Sequence, residues 1–168
     1  MPPVIPIRYI EPVYRPPSEA ESLILPVTDG CSWNHCTFCE MYTAPQKRFR
    51  ARDEAEVLES IERTGERWAS EVRRVFLADG DALVLPTRRL LRILEAIRTH
   101  LPAVRRISSY CLPRNLRRKS VDELRELAAA GLVMAYVGAE SGDDEVLARV
   151  HKGETHASTL DALNKIGE

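Results

Sequence analysis

Four times along the chain a short apolar run closes on a polar or glycine-bearing turn and gives way to a longer segment of helical period. "SLILPVTDG" precedes "DEAEVLESIERTGERWA", "RRVFLADGD" precedes "PTRRLLRILEAIRTHL", and "VRRISSYCL" precedes "SVDELRELAAAG". "LVMAYVGAE" then precedes a stripe of Leu160, Leu163 and Ile166 that ends near Gly167. Short apolar runs alternating with segments of period 3.6 predict strands alternating with helices, hence parallel pairing through right-handed crossovers. The expected fold class is α/β, either a doubly wound sheet or an arc of a βα-barrel. In both, the C-terminal ends of the strands share one functional face.

Local signals support the helices. Asp53 with Glu56, and Ser120 with Glu123, have the spacing of capping boxes. Leu90, Leu91, Leu94 and Ile97 form an apolar stripe behind Thr87, Leu124 and Leu127 share a face, and Gly131 stands where a C-terminal cap belongs.

At 168 residues and 44% hydrophobic, the chain is long enough for one domain with a core, and its 29% charged residues carry no signature of disorder. Residues 1–20 read as a Pro-rich arm and 21–168 as the core domain. A formal net charge of −1 gives no general reason to expect a nucleic-acid or membrane partner. The cluster of Arg48, Arg50 and Arg52 reads as solvated surface. Without an apolar run of membrane length, and without the basic and apolar regions of a signal peptide, the expected location is cytoplasmic. Disulfides are not expected there, so a tight group of cysteines reads as metal-binding or catalytic.

Such a group exists in "GCSWNHCTFCEMY", residues 30–42, which holds three of the four cysteines. Cys31, Cys36 and Cys39 are separated by four and then two residues on a loop that follows the first predicted strand. The two-residue gap lets both thiolates reach one metal or cluster from a tight turn. "ADGDA", "SSYC" and "GAESG" follow the other predicted strands, so all four segments should meet on one face. A structural zinc ion would want a fourth ligand, from His35 or Cys111. His35 directly precedes Cys36 and is expected to point away, and Cys111 reads as a small buried hydrophobe. Three thiolates without an obvious fourth fit an iron–sulfur cluster with an open iron. Two alternatives stand beside it: a non-catalytic zinc module built from Cys31, Cys36, Cys39 and Cys111, and a closed four-thiolate electron-transfer cluster.

These residues resemble the radical S-adenosylmethionine (SAM) enzymes, which carry a three-cysteine loop after the first strand of a partial βα-barrel. Phe38 stands at the aromatic position before the last cysteine, while the first gap is one residue longer than usual and is expected to bulge outward. "LADGDAL" matches the turn that receives the methionine amino group, which assigns Asp79, Gly80 and Asp81 to that role. "YVGAESGDDEVLARVHKG" looks like the fourth-strand segment of the subgroup containing oxygen-independent coproporphyrinogen oxidase, the elongator acetyltransferase subunit and methylthiotransferases. The resemblance places Glu140 near SAM, adds polar contacts from Ser108 and Ser109, and sets adenine near Phe38, Met41 and Tyr42.

The resemblance covers nearly the whole chain after residue 20. It implies a partial βα-barrel with about four βα units of an expected six, the rest supplied by missing C-terminal units or a completing partner. It further implies a 4Fe-4S cluster on Cys31, Cys36 and Cys39, with S-adenosyl-L-methionine on the open iron. An electron donor would reduce the cluster. Reductive cleavage of SAM would then give a 5′-deoxyadenosyl radical that abstracts hydrogen from a small-molecule or macromolecular substrate, which fold-level likeness does not specify.

Overall fold

The computed structural model describes residues 5–167; residues 1–4 of the expected arm and residue 168 lie outside the described residues. In chain order the elements are β1 (Leu23–Pro26), β2 (Thr28–Asp29), β3 (Arg50–Ala51), α1 (Glu54–Trp68), β4 (Arg74–Ala78) and α2 (Thr87–His100). They continue with β5 (Arg106–Cys111), α3 (Pro113–Arg117), α4 (Val121–Ala129), β6 (Leu132–Val137), α5 (Asp144–Arg149) and α6 (His156–Gly167). The main sheet is parallel throughout, in the order β1-β4-β5-β6, so each strand lies beside the one preceding it in the sheet. A doubly wound sheet would reverse its direction of growth at a switch point. Here the order is monotonic, and helices stack α1 on α2, α2 on α4 and α4 on α6. The sheet is therefore an arc of a βα-barrel.

Helices α1, α2, α4 and α6 form where the sequence pattern places them, and the short α3 and α5 are additional. Asp53 accepts a hydrogen bond from the Glu56 amide at 3.1 Å, and Ser120 and Glu123 make the full reciprocal box at 3.1 and 2.8 Å. Val57 and Ile61 of α1, and Leu90, Ile93, Leu94 and Ile97 of α2, are buried in one core with Val75, Leu77, Ile107 and Cys111 of the sheet. Each such aliphatic side chain contributes about 1.5–3 kcal/mol by leaving water. The other sheet face carries Phe76, Tyr110 and Tyr136, whose rings meet edge to face with centroids 5.1–6.3 Å apart.

The segment expected as an arm is packed onto this frame. Ile7 is buried in the core, and the Tyr9 hydroxyl donates to the Ile24 carbonyl at 2.9 Å. Glu19 is fully buried at the start of β5, where its carboxylate accepts from Arg106 at 2.9 Å, from the Tyr136 hydroxyl at 2.7 Å and from the Ser22 hydroxyl.

One expected face is reversed. Leu160, Leu163 and Ile166 of α6 are exposed, and the helix buries Thr159 and Ala162 instead. Lys165 explains the rotation: its amine donates to the carbonyls of Arg117 and Lys119 at 3.0 and 3.1 Å, which turns the small-residue face inward against α3.

Candidate functional site

The expected single first strand divides in two. After Pro26 the chain enters β2, which pairs antiparallel with β3. Gly30, at φ 71°, then turns the cysteine loop across the C-terminal ends of the sheet. Gly80, at φ 62° behind β4, packs directly beneath it; a Cβ there would overlap the Gly30 carbonyl and crowd the Cys31 Cα. The close approach that Gly80 permits is thus to the root of the cysteine loop, and Gly80 also lines the cavity at the strand ends. Asp81 continues the same contact. Its carboxylate accepts from the Ser32 amide at 2.7 Å, from the Ser32 hydroxyl and from Asn115 Nδ2 at 3.2 Å. A buried carboxylate engaged in this way fixes the residue next to the first thiol.

Above this root lies a cavity of about 270 Å³. Cys31, Cys36 and Cys39 line it together with Phe38, Met41 and Tyr42. The strand ends contribute Tyr110, Cys111, Tyr136 and Gly138, and charge enters from Asp81, Glu140 and Lys152. Glu140 stands at φ 63°, and its carboxylate accepts from the Lys152 amine at 3.2 Å. Tyr42 is buried, with its hydroxyl accepting from the Gly80 amide at 3.1 Å and its carbonyl accepting from Asn34 Nδ2 at 2.9 Å.

Burial pushes the Cys31 thiol up to about 11, with the nearby Asp81 charge adding to it, and pushes Cys111 up to about 12. Burial also raises Cys36, while Lys152 pulls in the opposite direction. As free thiols Cys31 and Cys111 carry protons at neutral pH. A bound metal centre would take the place of those protons on its ligands.

Three residues expected at the site lie outside this cavity. Asp79 is buried in an ion pair with Lys47, and its carbonyl accepts from the Thr28 hydroxyl. Ser108 and Ser109 do not end a strand: β5 runs on to Cys111, so both sit within it. The Ser109 hydroxyl donates to the Leu77 carbonyl at 3.2 Å, and that of Ser108 lies 3.5 Å from the Val75 carbonyl. His35 is exposed, edge-on to Trp33.

The sequence reading missed Lys152, Tyr110 and Tyr136. The signal for Lys152 was its place before Gly153, directly after α5, which returns the chain to the mouth of the arc.

Three thiols of one loop face one cavity, a donor set that suits an iron–sulfur cluster, in which each thiolate takes its own iron.

The family model described as the radical SAM superfamily matches residues 25–168. Among solved structures, the chain is similar to OxsB, a cobalamin-dependent S-adenosylmethionine radical enzyme solved with aqua-cobalamin and S-adenosylmethionine bound. The identity is 22% and the TM-score 0.65, covering 86% of this chain and 22% of OxsB. It is also similar to the coproporphyrinogen III oxidase HemN from Escherichia coli, a radical SAM enzyme, at 18% identity and a TM-score of 0.60, covering 86% of this chain and 33% of HemN. At these identities the likeness is one of fold, and the chain spans well under half the length of either protein. The sequence matches none of the curated proteins.

Proposed function

The chain belongs to the radical SAM superfamily, and from that premise we propose that Cys31, Cys36 and Cys39 hold a 4Fe-4S cluster beside a SAM pocket in a radical SAM enzyme. The observation that carries this reading is the shared cavity, in which three thiols of one loop and the Glu140–Lys152 pair line the same space. When bound, the cluster would supply the electron for reductive cleavage of the sulfonium C–S bond of SAM, yielding methionine and the adenosyl fragment that would take hydrogen from substrate.

The chain's own residues bind and orient. SAM brings an ammonium, a carboxylate and ribose hydroxyls into the cavity. The Lys152 amine suits the carboxylate, and Glu140 suits the ammonium or the hydroxyls. Because the two side chains already pair with each other, each exchanges one charged partner for another and neither is left uncompensated. Phe38, Met41 and Tyr42 offer adenine an apolar and aromatic wall. Tyr110 and Tyr136 line the cavity from the strand ends. Asp81 acts on the loop, through Ser32.

An electron donor would be needed to reduce the cluster, and Phe38, beside Cys39, is half exposed at the cavity. A cytoplasmic location fits this chemistry, because reducing conditions keep the free thiols of Cys31, Cys36 and Cys39 available to iron. Among the described residues no helix is long and apolar enough to cross a membrane. The remaining barrel units, or a partner supplying them, would cover the outer edge of β6.

Anaerobic reconstitution with iron and sulfide, followed by incubation with SAM and a chemical reductant, tests the reading. The expected products are methionine and 5′-deoxyadenosine. Selective uptake of stoichiometric zinc, with no iron–sulfur cluster formed, would overturn it.

A further inference from the structure

The longer gap between Cys31 and Cys36 faces two ways: Asn34 lines the cavity, and Trp33 is used outside it. Asn34 stands at φ 48°, a left-handed conformation that asparagine tolerates. Beside this bend Trp33 lies away from the thiols. Its indole stacks over the Arg114 guanidinium at 4.1 Å and donates from Nε1 to the His151 carbonyl at 2.8 Å. Arg114 in turn donates to the Gly153 carbonyl at 2.7 Å and to Glu154 at 2.9 Å. A Cβ on Gly153 would overlap the indole ring, so glycine is required for this fit. A second tie runs alongside, from the Thr37 amide to the Val150 carbonyl at 3.0 Å.

The indole thus grips the residues on both sides of Lys152. His151 and Gly153 stand at φ 54° and 71°, so the turn depends on its neighbours to keep its shape. Lys152 is 4% exposed, lines the cavity and donates to Glu140.

We propose that Trp33 is a positioning residue that couples the cysteine loop to Lys152, so that a loop ordered on its cluster also aims the cation that receives SAM. The inference rests on the reading of the cavity as a SAM pocket. Its specific content is that Trp33 affects SAM through Lys152 and by no separate route.

A double-mutant cycle tests this on anaerobically reconstituted protein, with SAM affinity measured by calorimetry for wild type, Trp33→Ala, Lys152→Ala and the double variant. Each single variant should bind SAM about 10-fold more weakly, as expected for loss of a contact to a charged group. The double variant should be no weaker than Lys152→Ala. Trp33→Phe, which can stack on Arg114 but cannot donate to His151, should fall between wild type and Trp33→Ala. Additive losses, or an unchanged affinity in either single variant, would overturn the coupling. Hydrogen exchange on the cluster-free protein gives a readout independent of SAM. In Trp33→Ala the amides of residues 150–154 should exchange about 10-fold faster while those of β4 and α2 keep their protection. Equal exchange at residues 150–154 would overturn the coupling as well. Failure of wild type to bind SAM at all would instead overturn the functional reading, so the two failures are distinguishable.

Discussion

At the scale of single residues, the site depends on contacts made far apart in sequence. Asp81 and Ser32 are 49 positions apart, yet their hydrogen bonds fix the residue beside the first thiol. Asp81→Ala removes the acceptor and leaves the Ser32 amide without it. We therefore expect this variant to lose its cluster to a chelator several-fold faster than wild type, besides binding SAM more weakly. Iron release followed by absorbance measures this, and wild-type retention would refute the role. In the same assay Cys31→Ala, Cys36→Ala and Cys39→Ala should each fail to hold a full cluster, while Cys111→Ala, a change within the apolar core, should hold it. The thiols were legible in the sequence because ligand spacing is a local property. The full work of Gly80 and Asp81 was not: both line the cavity, and both also hold the cysteine loop, a contact that only the folded sheet creates. Lys152 was missed for the same reason, since helix α5 separates it in sequence from the strand end it joins.

At the scale of elements, the caps of α1 and α4 and the apolar stripe of α2 follow the sequence pattern. Ser120 begins α4 as expected, and Ser120→Ala should cost about 1 kcal/mol in chemical denaturation, with no change at the site. The stripe of α6 misled because apolar spacing does not say which face a neighbour covers, and Lys165 decides the rotation from outside the stripe. The N-terminal segment was likewise read as an arm because its prolines suppress periodicity, whereas Glu19 binds it to β5 and β6. Burial alone would raise the Glu19 carboxyl, but hydrogen bonds from Ser22, Tyr136, Ser108 and Arg106 outweigh it and hold the group below the usual glutamate range. Its contribution to stability is therefore present above the unfolded value of about 4.3 and is lost as pH falls through the lower folded value. Thermal unfolding across acidic pH should show a steeper decline for wild type than for Glu19→Gln. Identical slopes would remove Glu19 from the account.

At the scale of the whole molecule, alternation of strand and helix left two α/β architectures open, and the monotonic strand order decides for the barrel arc. Among the described residues the outer edge of β6 has no partner strand, Val133 on it is 60% exposed, and the apolar face of α6 lies nearby. Unpaired edges and exposed apolar surface drive association. The 168-residue chain should therefore self-associate, and Val133→Glu together with Leu163→Lys should shift it toward monomer in size-exclusion chromatography with light scattering. A wild-type chain that is monomeric at high concentration would show that this surface needs no cover. All scales converge on the cavity where the arc gathers its strand ends and the cysteine loop. The most direct measurement there is electron paramagnetic resonance of the reduced, anaerobically reconstituted protein before and after SAM is added. If about four irons per chain are held by three thiolates, one iron would be open to SAM, and the spectrum should change on its addition. A cluster whose spectrum is indifferent to saturating SAM would be closed, and would contradict the account.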